Sequence, residues 1–129
     1  MTKTVYVIVG LPGSGKSHLA NRIGDVIVDD IIDLSQLPSP DSIKGKDVVV
    51  SDVNFCDARI LDIAVAIMHD MYDMYEHRIK VLYFENNPAA AIANVEYRND
   101  GRNVQGTIDR FRVIYEPPQD AIPIWQHKD

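Results

Sequence analysis

The sequence predicts a three-layer α/β fold in which a mainly parallel sheet is covered by helices on both faces. Two observations carry this. Runs rich in β-branched residues alternate with segments of helical apolar spacing, the pattern of parallel strands joined by crossover helices. The first such run also passes through a glycine-rich bend straight into a helical pattern, and two later runs close on aspartate. Its 129 residues suit one domain, 1–129.

Thr4-Val5-Tyr6-Val7-Ile8-Val9 reads as a buried strand. From Lys16 to Ile23, apolar Leu19, Ala20 and Ile23 recur at helical spacing. Asp25 to Val28 reads as a short second strand ending at the pair Asp29-Asp30. Pro38, Pro40 and Gly45 make 33–46 mostly loop, with one helical turn after Ser39. Asp47 to Asp52 is a third strand closing on an aspartate. A long helix follows, with Ile60, Ile63, Ala64, Ile67, Met68, Met71 and Met74 or Tyr75 expected on its buried face. Arg78 to Phe84 is a fourth strand, and Pro88 suits the first turn of a helix running to about Tyr97. A polar turn at 98–103 precedes a helix from Gln105 or Thr107 to Tyr115, stopped by Pro117-Pro118. The tail from Ala121 to Trp125 is expected as an edge strand. Right-handed crossovers place the ends of the parallel strands on one rim, so the Gly10 bend, Asp29-Asp30 and Asp52 should converge there.

Gly10-Leu11-Pro12-Gly13-Ser14-Gly15-Lys16-Ser17 matches the phosphate-loop pattern G-x-x-x-x-G-K-[ST]. Each residue type has a physical task. Gly10, Gly13 and Gly15 permit backbone conformations that turn N–H groups inward toward an anion, in a bend that also contains Ser14. Lys16 brings a point charge to the β- and γ-phosphates, and the Ser17 hydroxyl suits Mg²⁺. A helix starting near Gly15 aims its positive end at the same place. The nucleotide expected is ATP, with GTP as the other candidate. The fold class is thereby narrowed to a P-loop NTPase of the nucleotide-kinase kind.

Phosphoryl transfer needs positioning and charge neutralisation. Asp30 is the candidate general base, with Asp29 next to it; the alternative for either is a solvated carboxylate or a helix cap. Asp52 is placed to serve the metal, the acceptor or a helix cap, and Asn54 accompanies it. Arg98 and Arg102 flank a short lid around 98–106 and suit transition-state charge, Arg102 also as a nucleotide contact; the bland alternative is two surface arginines. Arg110 and Arg112 cannot share one helix face. His18, His69, His77 and His127 show no metal-ligand spacing, and Trp125 reads as a packing anchor.

The formal net charge of −6 argues against a broadly basic surface for gripping nucleic acid, while leaving room for a local basic groove. Cys56 is the single cysteine, so no internal disulfide forms, and a small buried apolar role suits it. That fits a reducing cytoplasm, the host's if the chain is phage-encoded. The first apolar run is too short for a secretory signal, and no stretch approaches the roughly 20 apolar residues of a membrane span.

These segments together resemble the small P-loop kinases of the polynucleotide kinase type, common in phages. The phosphate loop at 10–17 matches. Asp29-Asp30 resembles the acidic pair whose second member is the general base. Val49 to Phe55 resembles the strand ending in Asp-Thr-Asn, and Arg98 to Arg102 the lid with paired arginines. The segment from Phe111 to Pro118, with its Tyr-Glu-Pro-Pro, also fits. The resemblance implies ATP-dependent transfer of the γ-phosphate to a hydroxyl of a polynucleotide, nucleotide or modified DNA base, with Mg²⁺. It also implies acceptor contacts from Asp29, Asp30, Asp52 and Asn54. Where the family carries a basic residue for the nucleic-acid end, this chain has Ile31-Ile32-Asp33. Two other functions stand beside it: a small-metabolite kinase, and a nucleotide-binding regulatory ATPase without an acceptor. Oligomeric state is left open.

Overall fold

In the computed structural model, which describes residues 3–29, 34–72, 78–98 and 104–124, four strands form one sheet with every pairing parallel. The strands are β1 (Thr4–Val9), β2 (Val26–Asp29), β3 (Val48–Ser51) and β4 (Arg78–Tyr83), in the order β2-β3-β1-β4. The helices are α1 (Lys16–Ile23), α2 (Ala58–Tyr72), α3 (Pro88–Arg98) and α4 (Gln105–Arg112). The predicted α/β class, parallel sheet and flanking helices are therefore present.

β1 and β3 are central strands whose Val5, Val7, Ile8, Val9, Val48, Val49 and Val50 are fully buried. Burial on both faces is what a parallel sheet imposes, and it explains their unbroken apolar runs. β2 lies at an edge and alternates between half-buried and exposed residues. The chain leaves β1 through α1 toward β2, returns to β3, then crosses β1 by way of α2 to reach β4. The connections that leave β1 and β3 thus run in opposite directions across the sheet. Right-handed crossovers then set their helices on opposite faces, opening a crevice between the carboxyl ends of those two strands. α1 accordingly packs on β1, β2 and β3, whereas α2 packs on β4.

Three expectations need correction. The 34–47 connection holds two 3-10 turns, Leu34–Gln36 and Pro40–Ile43, rather than one. The buried stripe of α2 runs through Leu61, Ala64, Met68 and Tyr72, leaving Ile60 41% and Ile63 59% exposed. The start at Ala58 turns the helix so that Leu61 leads the inward row at i, i+3, i+7 and i+11; Met74 and Tyr75 lie outside the described residues. The expected tail strand reduces to a single parallel bridge between Phe84 and Ile122. Pro123 follows with no N–H to extend a ladder, and Trp125 is outside the described residues. Pro88 does stand at the start of α3, and the preceding Asn87 caps it, its Oδ1 accepting from the Ala90 N–H at 3.1 Å.

Among the described residues, no helix is long and apolar enough to cross a membrane.

Candidate functional site

The bend at 10–17 leaves the buried end of β1 and enters α1 directly. Gly13 and Gly15 have φ of +86° and +102°, a region that strongly favours glycine. Gly13 has a second reason to lack a side chain: a Cβ there would lie 2.3 Å from the Ala91 carbonyl oxygen of α3. α3 therefore sits directly on the bend. Gly15 caps α1 with no side-chain hydrogen bond and no acidic residue follows in the first turn, so the helix's positive end is left to the bend.

Two side chains within the bend point inward. The Lys16 ammonium arches back and donates to the Gly10 and Leu11 carbonyls at 2.7 and 3.1 Å. The Ser14 hydroxyl is 2% exposed and has no hydrogen-bond partner among the described residues. A buried orphan hydroxyl is rare, and it suits a bound acceptor such as a phosphate oxygen. An uncapped helix start, glycines that only a bare backbone satisfies and this hydroxyl together fit a polyphosphate.

Ser17 faces the neighbouring strand end. Its hydroxyl donates to Asp29 Oδ2 at 2.9 Å, while the Ser51 hydroxyl donates to Asp29 Oδ1 at 2.6 Å. Asp29 and Ser51 are direct partners in the β2–β3 register, which makes this junction a product of strand pairing. Asp52 behaves differently. It is 6% exposed, and its Oδ1 accepts from the Asn54 N–H and side-chain amide at 2.8 and 2.7 Å, capping the 3-10 turn Val53–Cys56. The carboxylate on Ser17 is thus Asp29. Asp52 and Asn54 are held to each other.

Cys56 is buried beneath the bend, with the Gly10 N–H directed at its sulfur. Burial pushes its thiol up to about 12, a neutral apolar filler rather than a nucleophile. Arg98 is exposed at the last turn of α3. Arg110 rests its guanidinium over the Phe111 ring, 4.8 Å from its centroid. Asp30, Ile31 to Asp33, 99–103 with Arg102, His77 and His127 lie outside the described residues.

Two supporting residues escape sequence reasoning. Buried Asn94, on α3, donates its side-chain amide to the Gly13 carbonyl at 2.9 Å. Tyr115, just past α4, places its hydroxyl between the carbonyls of Phe84 and Val9, the residues at the ends of β4 and β1. Burial raises its pKa, with Cys56 and Tyr83 adding to the effect. Asn94 stands in no motif; Tyr115 opens the Tyr-Glu-Pro-Pro segment that carries part of the resemblance, but the resemblance gives its hydroxyl no role there.

No protein-family model matches the chain. It is similar to an uncharacterized protein of Acanthamoeba polyphaga mimivirus, at 29% identity over 124 residues, covering 90% of this chain and 88% of that one.

Proposed function

We propose that this protein is an ATP-dependent phosphotransferase that moves the γ-phosphate to a hydroxyl acceptor on a polynucleotide, nucleotide or modified DNA base, in the manner of the polynucleotide kinase-like enzymes. One observation carries the reading: the bend at 10–17 combines two left-handed glycines, an uncapped helix start and an inward, unpartnered Ser14 hydroxyl at the mouth of the β1/β3 crevice. A triphosphate there would take the bend's N–H groups, and Lys16 would exchange its two carbonyl acceptors for phosphate oxygens.

Among the described residues no three His, Cys, Asp or Glu side chains converge, so a divalent ion would complete its shell with phosphate oxygens and water. Ser17 would hold it, oriented by Asp29, with Asp52 close behind the bend. Bound magnesium neutralises charge on the transferring group. The acceptor's proton goes to the carboxylate pair at the end of β2. Asp30, which the family resemblance favours, takes it in this reading, because both Asp29 oxygens already accept from the Ser17 and Ser51 hydroxyls. Asp29 is the alternative. Arg98 would steady the developing phosphate charge.

A second reading, a small-metabolite kinase, rests on the 34–47 connection. Leu37 and Ile43 are buried there, and the Tyr72 hydroxyl donates to the Pro38 carbonyl at 2.7 Å. That connection is tied into the core, which leaves less chain to grip a large acceptor.

The test follows radiolabelled γ-phosphate onto DNA, nucleotides or small metabolites. Transfer to DNA or a nucleotide is expected, and it should vanish in Lys16→Ala; transfer to a small metabolite alone supports the second reading instead. Asp30→Asn is expected to lower turnover by about 100-fold or more with nucleotide binding kept; the same loss in Asp29→Asn instead moves the base by one residue. Label released only as inorganic phosphate, or full turnover in both aspartate variants, defeats the proposal.

A further inference from the structure

We infer that Asn94 is a positioning residue that seats the phosphate bend against α3 and so fixes where Arg98 stands relative to it. The inference deepens the phosphotransferase reading and rests on it for the role of the nucleotide, but its core is a claim about this chain alone.

Asn94 is 6% exposed, an unusual place for an amide in the middle of an 11-residue helix. Its side chain makes the 2.9 Å bond to the Gly13 carbonyl across 81 residues of sequence. α3 also crowds Gly13 itself, since a Cβ there would meet the Ala91 carbonyl at 2.3 Å and the Val95 Cγ2 at 3.0 Å. Ala91, Asn94 and Val95 are one helical turn of α3, and all three converge on one glycine of the bend. Arg98 follows Asn94 by four residues, so it lies on the same helix face about 6 Å further along the axis. The contact is therefore a pivot with the bend on one side and the arginine on the other.

The chemistry of the contact explains why an amide is used. The left-handed turn at Gly13 directs its carbonyl away from the bend's own N–H groups and toward α3. Gly13 is half-buried, and a carbonyl partly shut off from water that loses its donor is destabilising. An apolar residue at position 94 would leave it bare, and the bend would relax to recover a partner. A carboxylate there would set acceptor against acceptor. Only a short donor at this position keeps Gly13 in its conformation while leaving the inner N–H groups for an anion.

Asn94→Leu and Asn94→Asp test this, both close to asparagine in size. Hydrogen exchange is read on peptides covering 10–17, with peptides covering 48–51 of β3 as internal reference. Exchange of the bend is expected to rise about tenfold in both variants, the loss of roughly one hydrogen bond, while β3 is unchanged. Calorimetry with magnesium–ATP is expected to show affinity down about tenfold. Arg98→Ala is expected to cost less turnover in the Asn94→Leu background than in the wild type, because the pivot is already lost. Unchanged exchange at 10–17, or a rise shared equally by β3, overturns the inference. Wild-type protein that takes up no nucleoside triphosphate would instead overturn the phosphotransferase reading, and the exchange result would still decide the role of Asn94.

Discussion

Cys56 ties the chemistry of one side chain to the bend above it. Its thiol is neutral in the fold, pushed from 9.0 up to about 12 by burial. A group whose acid form is favoured by folding stabilises the native state below its unfolded pKa and loses that contribution as pH rises through the folded value. Tyr72, raised from 10.0 to about 12 by burial, acts in the same direction. Stability to urea is therefore expected to hold up to about pH 9 and fall between there and about pH 12. Iodoacetamide at pH 8 should leave native Cys56 unmodified and label it fully in denaturant; labelling of native protein at the rate of a free thiol would contradict the burial. At this scale the glycine-rich stretch was legible as a bend from local residue types, and Gly13 and Gly15 do take left-handed φ there. Cys56 was legible as a small buried residue from its type alone. Asn94 was invisible because its meaning lies in a glycine far away in the chain. The pairing of Asp29 with Ser17 was likewise hidden, since it depends on which strand lies beside β3.

At the level of elements, α2 separates two kinds of isoleucine and leucine that look alike in sequence. A helix this apolar offers several plausible stripes, and the exact entry point after Asp57 selects one. The carboxylate of Asp57 accepts from the Arg59 N–H at 3.0 Å and bridges its guanidinium at 3.4 Å, which holds that carboxyl below its ordinary range. The first turn is thereby set with Leu61 inward and Ile63 outward. Leu61→Ala is expected to cost about 2–5 kcal/mol, through lost burial and the cavity left behind. Ile63→Ala should stay within about 0.5 kcal/mol, as a surface change in a helix that alanine favours. Urea titration of both variants checks this; equal losses would restore the stripe that spacing alone suggested. The positions of β1 to β4 were legible to within a residue because their apolar runs are short and bounded. The helix face was not, because α2 carries apolar residues on both sides.

At the scale of the molecule, a long-range tether holds the rim that carries the candidate site. Tyr115 reaches from the end of α4 to the carbonyls of Val9 and Phe84, and Asn86 returns the favour by donating to the Arg112 and Tyr115 carbonyls at 2.8 and 3.0 Å. The last helix is thus bound to the point where the bend begins. Tyr115→Phe keeps the ring and removes the donor; it is expected to cost about 1–3 kcal/mol. It should also speed hydrogen exchange of the bend, which a loss confined to α4 would not do. The overall architecture was readable from alternation, because parallel strands must be buried on both faces. The strand order was not, since it depends on which edges meet across distant segments. All four strands run the same way, so the opening residues of β1 stand at the opposite pole, about 20 Å from the bend over six extended residues. Thr4 and Asp47 close that pole by a backbone-to-carboxylate bond of 3.0 Å. The stretch at Ile122, by contrast, passes alongside Glu85 near the rim from which the bend leaves. Purification handles and fluorophores therefore belong ahead of Thr4, at the pole away from the bend.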